Sequence, residues 1–162
     1  DYAVEVAYAQ DLGNGIAVFL GGAFEDSDNG DSYIVNAYTT YETGAWLFAA
    51  EVNFGNSKSG AFNVTDDKDN DKVLIGGDDA DVLSGLLMAN YAYNETASVT
   101  GRVSYEEIDD NLEADITKYT LAHNQALADN LGLITEVSFS DIDSNQGDGE
   151  ELALAVELLF TF

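Results

Sequence analysis

The chain has no cysteine and no proline, one histidine, one tryptophan and one methionine, and only 5 Lys+Arg among its 162 residues. Without cysteine there are no disulfides, thiolate zinc sites, iron–sulfur clusters or covalent haem attachment. Average usage would supply proline at about 5%, so its complete absence is informative. The few basic residues face 31 Asp+Glu, a formal charge of −26. Such a surface repels phosphate backbones and excludes nucleic acid as a partner. No run of about 18 apolar residues is present, so no segment can form a transmembrane helix. Asp1-Tyr2-Ala3-Val4-Glu5 lacks the basic start and apolar block of a signal peptide, so a mature or truncated chain is expected. Disorder is a poor fit, because 46% of the residues are hydrophobic and 11% aromatic. The length suits one domain spanning 1–162, with a sizeable core or a small barrel.

What is present is a period of two. Leu152, Leu154, Val156, Leu158, Phe160 and Phe162 alternate with Ala153, Ala155, Glu157, Leu159 and Thr161. Strand geometry puts the two sets on opposite faces. The same alternation runs through Tyr2–Tyr8, Ile16–Phe24, Trp46–Phe54, Val99–Tyr105 and Leu133–Phe139, and more noisily through 32–42, 82–93 and 117–127. Nine strands are predicted: 1–10, 15–25, 32–42, 45–55, 82–93, 97–107, 117–127, 132–142 and 151–162. Each is about ten residues, above the usual mode and matched to a tilted bilayer-spanning strand. His123-Asn124-Gln125 disturbs the alternation, which a bulge could absorb.

Short connections (Asp11–Gly15, Thr43-Gly44, Glu95-Thr96, Asp129–Gly132) alternate with longer acidic ones at Asp26–Asp31, Asn56–Ala80, Ile108–Ile116 and Asp143–Glu150. Short periplasmic turns and long extracellular loops are the pattern of outer-membrane barrels, which makes 56–80 a long acidic extracellular loop. A soluble β-sandwich or solenoid would also alternate, but the strand length and loop pattern favour the barrel. The aromatics sort with it. Tyr8, Tyr41, Trp46, Tyr91, Tyr93, Phe160 and Phe162 fall towards the short turns, and Tyr2, Phe24, Tyr33, Phe54, Tyr105, Tyr119 and Phe139 towards the long loops. Two belts flanking an apolar band suit two membrane–water interfaces. The predicted fold is all-β: an antiparallel up-and-down transmembrane β-barrel in a bacterial outer membrane, bounded by lipid.

The closing stretch Tyr119–Ala122, Ala126–Leu133 and Glu151–Phe162 resembles bacterial porins, and in particular the OmpL-like β-barrel porin family. The resemblance is best over about the last 45 residues. It implies a passive outer-membrane channel, and the terminal Phe162 looks like the mark read by the barrel-assembly machinery.

Little points to catalysis. His123 is the lone histidine and no serine is singled out to pair with it, so an enzyme is not expected and no cofactor is implied. Asp66, Asp67, Asp69 and Asp71, and the Asp26–Asp31 stretch, offer oxygen ligands for calcium, but neither has a twelve-residue loop with its closing Glu. The inward face is more informative. Glu5, Glu51, Glu136 and Glu157 point into the lumen near mid-strand, with Glu106 nearer the outer mouth and Arg102 the only inward cation at that height. Small neighbours such as Ala3, Ala7, Ala49 and Ala153 leave room for water, which unpaired carboxylates require. A closed barrel with a charge network round Arg102 is the alternative.

The expected function is a diffusion porin for small hydrophilic solutes, preferring cations and assembling as a homo-oligomer such as a trimer. A non-conducting scaffold or adhesin and a sheath for an electron-transfer partner are the competing readings. Nine is an odd number, whereas single-chain bacterial barrels have an even one, so these residues are expected to form the C-terminal part of a larger barrel.

Overall fold

The computed structural model describes residues 2–27, 30–57, 62–65, 72–75, 80–109 and 113–161. Eleven strands and no helix are found among them: β1 (Tyr2–Gly13), β2 (Ile16–Ser27), β3 (Gly30–Thr43), β4 (Trp46–Ser57), β5 (Phe62–Thr65), β6 (Lys72–Ile75), β7 (Ala80–Asn94), β8 (Ala97–Asp109), β9 (Ala114–Ala128), β10 (Leu131–Ser144) and β11 (Gly149–Phe160). Nine of them form one antiparallel sheet in the order β1-β2-β3-β4-β7-β8-β9-β10-β11, and β5 and β6 pair separately. Every neighbour in the large sheet other than β4 and β7 is consecutive in sequence, which is the up-and-down meander that the alternation predicts.

The nine strands of the large sheet run 12 to 15 residues, longer than the alternation alone marks. Hydrophilic ends extend the ladder because backbone pairing needs no apolar face. One consequence is a correction at Asp26–Asp31. This acidic stretch is no long loop, because Asp26 pairs with Asp31 and Ser27 with Gly30. The 56–80 segment likewise contains β5 and β6 rather than loop alone. His123-Asn124-Gln125 keeps its register, with Thr135, Ile134 and Leu133 opposite, and the bulge falls at Leu127 instead. Two more bulges, at Leu12 and Tyr93, also lie beside short turns, where an extra residue steepens the twist into the hairpin. At the first turn Gly15 has φ +81°, and a Cβ there would collide with the Glu42 carbonyl oxygen; Gly15 in turn accepts the Glu42 N–H at 2.8 Å.

There is no conventional core. The buried hydrophobic residues among those described are Ala80, Ala97 and Ala122, while Leu154, Val156 and Leu152 are more than 70% exposed. In water, an apolar surface of this extent would be covered. Tyr2, Val4, Val6 and Tyr8, then Phe24, Leu20 and Val18, and on round the sheet to Leu152–Phe160, all lie on one face. Aromatic contacts mark its two ends: Tyr2–Phe24 at 6.1 Å and Tyr33–Phe54 at 5.8 Å on the long-loop side, Trp46–Tyr91 at 4.6 Å and Trp46–Phe48 at 5.6 Å on the short-turn side. Tyr8 lies further from the rim than expected, opposite Leu20, because β1 continues to Gly13. Phe19 and Tyr38 stack at 5.0 Å on the opposite, inner face.

The sheet is open. Among the described residues, β1 and β11 are its edges and do not pair with each other.

Candidate channel wall

The register sorts the inner face into rungs. One rung reads Ala7, Gly21, Asn36, Asn53, Ser84 and Glu106 across β1, β2, β3, β4, β7 and β8. The next towards the short turns carries Tyr38, Glu51, Leu86, Ser104, Lys118 and Ser140, and the one after it Thr40, Ala49, Met88, Arg102, Thr120 and Ser138. Glu136 follows, opposite Ala122 and Ala155. All six predicted lumen residues therefore face inward. Their rungs differ, yet Glu5, Glu51, Arg102 and Glu136 each lie three residues from an aromatic of the long-loop belt on the same strand, namely Tyr2, Phe54, Tyr105 and Phe139.

Glu51 is half-buried and held by amides. Asn36 Nδ2 donates to its Oε1 at 2.9 Å and Asn53 Nδ2 at 3.0 Å, while Asn53 Nδ2 also reaches Ser84 Oγ at 3.3 Å. Such donors suit the ionised carboxylate. Glu106, on the Asn53–Ser84 rung, is exposed. Arg102 of β8 crosses β9 to Glu136 of β10, with 3.9 Å between Nη2 and Oε1. Thr120 and Ala122 lie beneath that span and are each 8% exposed. A second amide cluster sits nearer the short turns, where Asn90 Nδ2 donates to Thr100 Oγ1 at 2.7 Å and to Ser98 Oγ at 3.0 Å.

Sequence reasoning missed Lys118. Its signal was parity with Thr120, Ala122 and Asn124, obscured by the noisy alternation of 117–127. Lys118 is a second inward cation, nearer the long loops than Arg102 and next to Tyr119 of the aromatic belt. Asp66, Asp67, Asp69 and Asp71, the calcium candidates, lie outside the described residues, as does Phe162. Beyond the aromatic belt on the long-loop side, an acidic cleft of about 460 Å³ is lined by Glu107, Asp109, Glu113, Asp115 and Asp143 among others. There the negative charge of Asp148, then the hydrogen bond that the protonated Asp143 donates to it, raise the Asp143 pKa above the usual carboxylate value.

A sheet that is apolar outside, polar inside and belted by aromatics at both ends is a wall of a membrane-spanning barrel. The fold is that of a bacterial outer-membrane β-barrel. Solved structures of OmpT, an outer membrane protein of Vibrio cholerae, share it: the trimer form of the in-vitro folded protein matches with TM-score 0.71 at 17% identity over 100% of this chain. The outer-membrane expressed form gives 0.71 at 17% over 98%, and a loop L8 deletion mutant 0.69 at 18% over 95%. The chain spans about half the length of those structures, 49 to 50% of each. No family model matches the chain, and no curated protein matches it.

Proposed function

We propose that the chain is part of an outer-membrane porin, a passive water-filled channel for small hydrophilic solutes that prefers cations and works without a cofactor. The observation that carries this reading is the inner face. It carries amides, hydroxyls and carboxylates with small Ala and Gly among them, beside a few large side chains such as Tyr38, Leu86 and Met88, which supplies hydrogen-bonding groups to the lumen side. Unpaired carboxylates such as Glu5 and Glu157 need water beside them, and rings or clusters of carboxylates concentrate cations. The OmpL-like resemblance of the closing residues supports the same class. Assembly as a homotrimer accords with the trimer form recorded for one similar structure, and 56–80 is assigned to the extracellular side because it is the longest connection.

Closure needs further strands. In an antiparallel meander of nine, β1 and β11 run the same way, so joining them directly would be a parallel pairing. An odd number of additional strands restores alternation, gives the even total of single-chain bacterial barrels, and removes the edges that hydrocarbon cannot accommodate. The test is reconstitution of the complete protein in a planar bilayer. Stepwise conductance supports the porin. A barrel that inserts and stays insulating overturns it in favour of a non-conducting scaffold.

A further inference from the structure

Only 5 Lys+Arg occur in the chain, and Lys58, Lys68 and Lys72 fall in the 56–80 segment. The other two, Arg102 and Lys118, are both on the inner face and on adjacent strands. Two successive inward rungs over β8, β9 and β10 read Arg102, Thr120, Ser138 and Ser104, Lys118, Ser140. Six positions thus hold two cations and four hydroxyls, with no carboxylate among them. Thr120, Ser138 and Ser140 are also the buried polar residues of the described structure, at 8%, 5% and 7% exposure. Thr120 Oγ1 is buried without a hydrogen-bond partner.

We propose that this patch of the wall is a subsite for a small oxyanion, the carboxylate or phosphate group of a solute, held between Arg102 and Lys118. The proposal rests on the porin reading only in taking the inner face to be wet. Diagonal neighbours on paired strands are about 7–8 Å apart, within reach of long side chains, so the two cations can bracket one oxyanion. The guanidinium presents a fork that matches carboxylate or phosphate, and the ammonium adds a point charge. Glu136 already holds Arg102, but at 3.9 Å and with 37% and 30% of the two side chains exposed this pair is readily exchanged. An oxyanion that takes the guanidinium from Glu136 lifts the bridge off β9 and supplies Thr120 Oγ1 with an acceptor. Among the described residues Lys118 has no ion pair, so its charge is available. In a chain of −26, an anionic solute is otherwise repelled, and this patch is where the wall can hold one.

The experiment is calorimetric titration of the complete protein, folded in detergent, with inorganic phosphate, succinate and glycerol at fixed ionic strength. Saturable binding of phosphate, succinate or both, with none for glycerol, is expected, and the two arms tell a phosphate from a carboxylate ligand. Lys118→Gln and Arg102→Gln should each weaken it at least tenfold, Lys118→Arg should retain it, and Thr120→Val should lower it several-fold. Heat-shifted gel mobility checks folding of each variant. If Arg102→Gln fails that check, Lys118→Gln decides. No saturable binding, or binding unchanged in Lys118→Gln, overturns the subsite. Parallel bilayer recordings separate the two readings: binding without conductance keeps the subsite and removes the pore, and conductance without binding does the reverse.

Discussion

Trp46 and Tyr91 lie directly opposite each other on β4 and β7, with ring centroids 4.6 Å apart, although the whole β5–β6 segment separates them in sequence. The pair pins the one place where the sheet joins strands that are not consecutive. Trp46 also stacks on Phe48, and Phe48 on Tyr41 at 6.4 Å, so β3, β4 and β7 share one aromatic plate at the short-turn interface. Amphipathic rings favour that depth.

The coupling between Trp46 and Tyr91 should be measurable. A double-mutant cycle with Trp46→Ala and Tyr91→Ala is expected to give about 0.5–1.5 kcal/mol of interaction beyond area burial. Unfolding of the complete protein in lipid by urea reads it. Strict additivity would mean that each ring is held by lipid rather than by the other.

Leu87 tests the membrane directly. It lies at the middle of β7, faces outward and is 61% exposed. In a soluble protein, Leu87→Arg at such a site would change stability by less than about 0.5 kcal/mol. At a bilayer midplane it should cost about 2–4 kcal/mol. Ser138→Ala on the inner wall serves as the comparison, with a much smaller effect. Equal stability of Leu87→Arg and wild type would remove the bilayer from the account.

Selectivity should follow the inner carboxylates. Reversal potentials under a salt gradient are expected to show cation preference, reduced by Glu51→Gln and Glu157→Gln. The preference should fade towards 1 M salt, where the Debye length is about 3 Å. Glu51 carries the sharper prediction, because Asn36 and Asn53 donate to it and hold its carboxylate in place. Anion preference in the wild type would show that other parts of the wall set the field.

The acidic cleft predicts a pH dependence. Asp143 has its folded pKa raised, chiefly by the charge of Asp148. A raised carboxylate pKa means that the folded form binds the proton more tightly than the unfolded form does. Local stability is therefore greatest below the unfolded value and falls as pH rises through the folded one. The protection factor of the Asn145 N–H, which donates to the Glu113 carbonyl at 3.2 Å, should rise on acidification through that window once the intrinsic pH dependence of exchange is divided out. Asp148→Asn should flatten the response, and an unaltered profile in that variant would assign the effect to other carboxylates.

The alternation of Leu152, Leu154, Val156 and Leu158 with Ala153, Ala155 and Glu157 was enough to determine strand, face and bilayer exposure, because a period of two is a local property of extended backbone. The tight turns at Asn14 and Gly44 were legible for the same reason: their residues favour the positive φ that those turns require, +55° and +59°. Where strands end was not legible, since a polar residue such as Asp26 or Asp31 can leave the apolar band and still stay in the ladder. The side-chain partners of the wall were not legible either. Arg102 meets Glu136 across β9, and Lys118 joins Thr120 and Ser138 in one patch, only because two strand registers bring distant residues to neighbouring rungs. A one-residue slip in either of those registers would send the cations to the lipid face, so the chemistry of the wall is a property of the assembled sheet.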